Sequence, residues 1–158
     1  MIEVVRAEEH HVSDIGRLWW EFIRFHEGID PWFTPREGSI PGFQEHHVGR
    51  FMRSENGLVL VALENGKVVG YSLSEVREPS PGMKQEKWGY IDQVAVTASY
   101  RQKGVGQKIL EEVLAWFKSK GVTRVELEVT ARNAIGYAFW KKHGFRDYMH
   151  RLYLTTES

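Results

Sequence analysis

The stretch most able to do chemistry runs Gln93-Val94-Ala95-Val96-Thr97-Ala98-Ser99-Tyr100 and on through Arg101-Gln102-Lys103-Gly104-Val105-Gly106-Gln107. A strand pattern gives way there to a glycine turn and then to helical spacing. The first amides of a helix have no intrahelical partner and carry partial positive charge, so such a turn is an anion cradle. Gly104 and Gly106 let an anion come close to the backbone, and Arg101 and Lys103 add the formal charge a pyrophosphate requires. Two common phosphate motifs do not fit. The third glycine of a dinucleotide fingerprint would fall at Ile109, and a nucleotide-triphosphate loop would need Lys and then Ser or Thr after Gly106, where Gln107 stands. A plain strand-to-helix turn with solvated basic residues has the same composition, so context has to decide.

The elements that hold this turn are legible in outline. Ile2 to Arg6 is a short strand, and Val12, Ile15, Leu18, Trp19, Phe22 and His26 repeat at steps of three and four, predicting an amphipathic helix that ends at Gly28. Trp20 falls off that buried stripe and needs another partner. Residues 28–42 have loop composition with Trp32 and Phe33 inside it, and a short helix is expected from Gln44 to Arg53. Leu58–Leu63 and Lys67–Val76 read as strands joined by Asn65-Gly66, a type I′ hairpin pair. Trp88–Val96 reads as a strand, Gly104–Ser119 as a helix stopped by Gly121, and Val125–Val129 as a strand. Asn133 begins a short helix, and Phe145–Leu154 is expected to close the chain as a strand. That order predicts an α/β sandwich on a mixed sheet.

Composition narrows the function classes. A chain of 158 residues is about one domain, and 42% hydrophobic and 13% aromatic residues supply a real core. Lys plus Arg and Asp plus Glu each count 21, so the field of a general nucleic-acid binder is missing and any anion site is local. With no cysteine, disulfides, thiolate zinc sites and a covalent thioester to the protein are excluded, and a reducing cytoplasm is expected. No apolar window reaches the roughly 18 residues of a spanning helix and the N-terminus shows no export signal, so neither membrane nor nucleic acid is expected as a partner.

Around the turn the sequence resembles the GNAT N-acetyltransferases, which move an acetyl group from acetyl-CoA to an amine. Their cofactor signature is Arg or Gln, two residues, Gly, one residue, then Gly or Ala, and Arg101-Gln102-Lys103-Gly104-Val105-Gly106 matches it completely. Upstream, Tyr90-Ile91-Asp92-Gln93-Val94-Ala95-Val96 is similar to the family's central strand. Downstream, the run from Asn133 through Tyr137, Trp140 and His143 to Gly144-Phe145 is similar to its C-terminal cofactor helix. The resemblance implies a mixed, mostly antiparallel central sheet flanked by helices, a GNAT-like acyl-CoA-binding fold in one domain. It implies acetyl-CoA as co-substrate, no metal, and an amine of a small molecule or peptide as acceptor. A non-catalytic acyl-CoA sensor is the alternative.

Under that resemblance the cradle is the backbone from Gln102 through Lys103, Gly104, Val105 and Gly106 to Gln107, helped by Arg101. Val94, Ala95 and Val96 serve the pantetheine arm as a strand edge would, and an N–H near Val94 stabilises the tetrahedral oxyanion. Asn133 is carried over as a contact to the arm, beside its plain use as a helix cap. An ammonium cannot attack a thioester, so a base is needed. Asp92 is the first candidate, on one strand face with Tyr90, Val94 and Val96 by two-residue alternation; His26 and Glu128 are weaker ones. Much of the family has at Trp140 a tyrosine that protonates the departing thiolate, which an indole cannot do. Tyr137, one turn earlier, is the substitute. Trp32, Phe33 and His26 are expected at the acceptor, with a homodimer contact as the competing use of the exposed rings.

Overall fold

The computed structural model describes residues 1–157. The chain falls into two compact units, Met1–Glu128 and the stretch from Val129 onward. In the first, strands β1 (Ile2–Arg6), β2 (Gly57–Glu64), β3 (Lys67–Arg77), β4 (Trp88–Val96) and β5 (Val125–Leu127) form one sheet in the order β1-β2-β3-β4-β5. The first three pairings are antiparallel, and β5 lies parallel to β4. The mixed, mostly antiparallel sheet therefore stands as expected. The hairpin between β2 and β3 turns on Asn65 and Gly66, with φ of 51° and 78°, the double positive φ of a type I′ turn.

Helix α1 (Val12–Ile29) lays Ile15 and Leu18 on one sheet face, where they join Val59, Val61, Tyr71, Leu73 and Ala95 in a buried cluster. The segment expected as a helix from Gln44 is helical from Ile40. It consists of α2 (Ile40–Gly42), a π-helical stretch Phe43–Val48 and α3 (Gly49–Arg53), and it seals the same core with Phe43, Val48 and Phe51. The loop before it shrinks accordingly, and Pro31–Phe33 within it makes a single 3-10 turn. Helix α4 (Val105–Ser119) covers the other face: a Cβ at Gly70 would meet Ile109 and Val105, and one at Gly89 would meet the Phe117 ring. Gly70 and Gly89 are glycine because the helix lies that close.

The second unit contains α5 (Ala134–Lys142). Its N-cap is Asn133, whose Oδ1 accepts from the Gly136 N–H at 2.9 Å, and Gly144 leaves it at φ +92°. The closing strand expected over Phe145–Leu154 does not form among the described residues. A strand exists only through a ladder, and this unit offers the segment no second strand to pair with.

Candidate active site

β4 is where the fold becomes irregular. Its register against β3 runs Gly70↔Val96, Tyr71↔Ala95, Ser72↔Val94 and Leu73↔Gln93, then jumps to Ser74↔Ile91, leaving Asp92 as an extra residue with no partner on β3. This is a β-bulge. Its consequence is a change of face. Gly89 points at Phe117 of α4, and so does the side of β4 that carries Ile91; beyond the bulge Ala95 sits in the α1 core, while Val96, opposite Gly70, faces α4. Asp92 therefore does not share a face with Val94 and Val96, as simple alternation predicts. The extra residue breaks the period of two, and Asp92 stays with Tyr90 on the α1 side.

The hydrogen-bond parity of β4 decides which peptide groups are available. Thr97 N–H donates to Val69 O at 2.9 Å, which makes Thr97, Ala95 and Gln93 the residues bonded to β3. Ala95, expected to serve a cofactor arm, thus has its peptide groups spent on Tyr71. Val94 and Val96 point theirs to the opposite edge. There β5 pairs only along Gly89↔Val125, Tyr90↔Glu126 and Ile91↔Leu127, so past Ile91 the ladder ends. Val96 O accepts from Arg101 Nε at 3.1 Å. The N–H and C=O of Val94 and the N–H of Val96 face an edge with no paired strand among the described residues.

That edge runs into the glycine turn. Gln102 and Gly104 take φ of 61° and 81°, and α4 begins at Val105 with Gly104 as N-cap and no side-chain cap. The first intrahelical bond is Lys108 N–H to Gly104 O, so the amides of Val105, Gly106 and Gln107 have no helical partner. Lys103 is exposed, 5.3 Å from the Tyr100 ring centre, and the Gln107 side chain donates from Nε2 to Glu111 Oε1 at 3.2 Å. Arg101 turns away from the role expected of it. Its guanidinium lies 3.7 Å from Glu21 and 5.3 Å from the Phe25 ring of α1, because Glu21 is already the acceptor for the start of the turn, taking Thr97 Oγ1 at 2.9 Å and Ala98 N–H at 2.7 Å. Arg101 is a strap on the loop.

Asp92 has a partner that the sequence reading missed. His47 Nε2 lies 2.7 Å from Asp92 Oδ2, with side-chain exposures of 38% and 22%. His47 stands in the π-helical stretch, its ring 5.4 Å from Phe43 and 5.5 Å from Phe51, and Phe43 stacks on Trp19 at 4.3 Å and 9°. Trp20 rests edge-on against Trp19, which is the partner its position demanded. Tyr71 O–H donates to Gln93 Oε1 at 2.7 Å; burial first and the charge of Asp92 second push its phenol well above the usual range. Tyr90 O–H donates to Glu128 at 3.1 Å, and burial, then Glu128, raise it to about 12. Glu128 is thereby a partner of Tyr90.

The aromatic residues expected at an acceptor form another group. His26 Nδ1 donates to Phe22 O at 2.9 Å, and its ring meets Phe22, Phe25 and Phe33. Trp32 is 88% exposed. In the second unit Tyr137 O–H donates to both oxygens of Asp147, at 2.9 and 3.1 Å, so the hydroxyl expected as an acid is engaged in a hydrogen bond to a carboxylate. Trp140 packs edge-on between Phe139 and Phe145. Glu8, His10 and His11 bring potential ligand atoms within 4.8 Å of one another. Those of Glu8 and His11 close a capping box, with Glu8 N–H donating to His11 Nδ1 at 2.9 Å. Burial, then His10, lowers the pKa of His11, so it caps as a neutral ring.

Comparison with known proteins gives the same direction. The chain is 33% identical over 92 residues to a mycothiol acetyltransferase of Amycolatopsis mediterranei, a match covering 58% of this chain and 30% of that protein. It is 28% identical over 84 residues to the [ribosomal protein bS18]-alanine N-acetyltransferase of Escherichia coli K12, covering 53% and 51%. The matches thus span about a third to a half of those relatives. Among solved structures, the aminoglycoside N-acetyltransferase AAC(6')-Iy in complex with CoA superposes with a TM-score of 0.76 over 100% of this chain and 96% of its own, at 14% identity, a likeness of fold. The signature of the Acetyltransferase (GNAT) family matches residues 15–145, most of the chain, and this protein belongs to that family.

Proposed function

We propose that the protein transfers the acetyl group of acetyl-CoA directly to a primary amine of a small molecule or peptide. One observation carries this reading: the partnerless edge of β4 at Val94 and Val96 leads straight into the uncapped amides of Val105, Gly106 and Gln107. Two amides and a pyrophosphate are what the coenzyme presents in that order, and a strand edge followed by a helix N-terminus is the complementary surface. Val94 N–H stabilises the oxyanion of the tetrahedral adduct. Gln102, Lys103 and Gly104 shape the cradle, and Arg101 straps it. No dedicated acid is required, because a thiol titrates near 8.5 and its thiolate leaves readily. Trp32, Phe33 and His26 serve the acceptor. The proteins compared above are, by their names, a mycothiol acetyltransferase, a ribosomal-protein alanine N-acetyltransferase and an aminoglycoside N-acetyltransferase, which supports an amine acceptor without choosing one. A chain without cysteine suits the cytoplasm.

The test is a panel of spermidine, kanamycin and an alanine-initiated peptide with acetyl-CoA, reading released thiol, together with calorimetry of acetyl-CoA on the wild type and on Gly104→Val. A side chain at φ +81° strains the turn. Thiol release with one amine class and at least tenfold weaker coenzyme binding by the variant are expected. Equal affinity in both proteins removes the cradle, and coenzyme binding without release for any amine leaves a binding protein.

A further inference from the structure

We propose that His47 and Asp92 act as one proton-accepting unit, in which the proton of the substrate ammonium comes to rest on His47 Nδ1. The inference rests on the acetyl-transfer reading and assigns its base. Two departures from regular backbone converge on a single hydrogen bond. The bulge in β4 puts Asp92 on the α1 side of the sheet, and the π-helical stretch Phe43–Val48 carries His47 to it. Each departure sacrifices regular hydrogen bonding, and both kinds of irregularity concentrate at functional sites. In an α-helix, residues four apart drift by about 40° around the axis. A wider π turn reduces that drift, so Phe43, His47 and Phe51 form one column with Trp19 stacked at its end.

The bond fixes the tautomer. A carboxylate only accepts, so His47 Nε2 carries the hydrogen and Nδ1 of the neutral ring carries the lone pair. The ring is held between Phe43 and Phe51, which sets the direction of that lone pair. An imidazole is a stronger base than a carboxylate, so the ring is the member of the pair that takes the proton, and the carboxylate stabilises the imidazolium that forms. The surrounding charged groups are committed elsewhere. On the helical segment Arg50 binds Glu75 at 3.2 Å, while Glu45 and His46 are exposed. On β3, Arg77 binds Glu75 at 3.1 Å and covers the Tyr90 ring. Tyr71 and Tyr90, the phenols nearest in influence to Asp92, donate to Gln93 and Glu128.

The step balances. One proton passes from the ammonium to Nδ1; the freed lone pair forms the C–N bond at the thioester carbonyl; the C–S bond breaks as the adduct collapses. The second proton of the adduct nitrogen goes to the departing sulfur. The imidazolium then returns its proton to water, to which the half-exposed ring has access.

His47→Gln keeps a donor for Asp92 without a titrating nitrogen. With acetyl-CoA and whichever of spermidine, kanamycin or the alanine peptide is turned over, it is expected to lower kcat about a hundredfold or more and to abolish the acidic limb of the kcat/KM profile. Acetyl-CoA affinity by calorimetry should stay within twofold. Asp92→Asn should show a comparable loss, and the double variant should lose no more than the worse single one, as members of one unit do. A His47→Gln profile parallel to the wild type overturns the assignment. Nitrogen NMR of the wild-type imidazole supplies a check independent of turnover and of the variants' folding: hydrogen on Nε2 is expected, and hydrogen on Nδ1 overturns the pair. A wild type that binds acetyl-CoA, shows Nε2–H and acetylates nothing defeats the transfer reading and with it the unit's role.

Discussion

Tyr90 shows how a single side chain can be tied to the site and to stability at once. Its ring lies 3.6 Å under the Arg77 guanidinium and its hydroxyl is bonded to Glu128, so ionising it means placing a second negative charge against a carboxylate. Burial and then Glu128 raise its titration to about 12, against about 10 for an unfolded tyrosine. The folded state therefore holds this proton more tightly than the unfolded state. The resulting stabilisation is fully present below pH 10 and disappears as pH rises toward 12. Tyr71, shifted in the same direction by deeper burial, adds to the trend. Urea unfolding at pH 9, 10 and 11 should give a stability that falls across the series, and Tyr90→Phe should flatten the fall. Identical slopes for the two proteins would show that the phenol is not the linked group.

At the scale of elements, α1 controls a loop that is remote from it in sequence. Glu21 accepts from the Thr97 hydroxyl and the Ala98 N–H and faces Arg101, so one carboxylate fixes both the exit from β4 and the first residue of the glycine signature. Backbone amides bind an anion well only when they are already aimed, since aligning them at the moment of binding costs affinity. Glu21→Ala is expected to weaken acetyl-CoA binding about tenfold while circular dichroism stays native, and to speed amide hydrogen exchange over residues 97–107. The substitution leaves Ile15 and Leu18, the residues that anchor α1, in place. Unchanged affinity with faster exchange would mean that loop order contributes nothing to the coenzyme site.

For the molecule as a whole, a formal charge of zero supplies no net long-range attraction for an anion, so the affinity expected for acetyl-CoA rests on local groups. A ligand that binds only the folded state stabilises it by about 2.7 kcal/mol at a hundred times its Kd. For a chain of this size that corresponds to a rise in Tm of roughly 5 to 11 °C. Thermal melts with acetyl-CoA at that excess should show the shift, and Gly104→Val at the same concentration should show clearly less of it. No described helix is long and apolar enough to cross a membrane.

Local rules were enough to find most of the elements, because their signals are carried by near neighbours. Asn65-Gly66 accepts the two positive φ values of its turn wherever it sits, Asn133 caps the helix it precedes, and the glycines at 104 and 106 open α4. The family was legible for the same reason, its signature being one contiguous run from Arg101 to Gly106. The end of the chain misled, because Phe145–Leu154 has strand composition but strand formation needs a partner, and no strand forms there. The His47–Asp92 pair was only half legible. Asp92 stands out in sequence as a carboxylate on a central strand, whereas His47 lies 45 residues away in the short helix expected from Gln44 to Arg53, where nothing in the sequence marks it. Their bond depends on an extra residue in β4 and a wide turn in the helical segment, and neither departure leaves a periodic trace, since a bulge and a π turn are what remains when packing across the sheet overrides local period. Residue types and spacing determined the glycine turn and the family signature of this protein; only the tertiary fold, by bending two backbones toward each other, decided that Asp92 and His47 share a hydrogen bond.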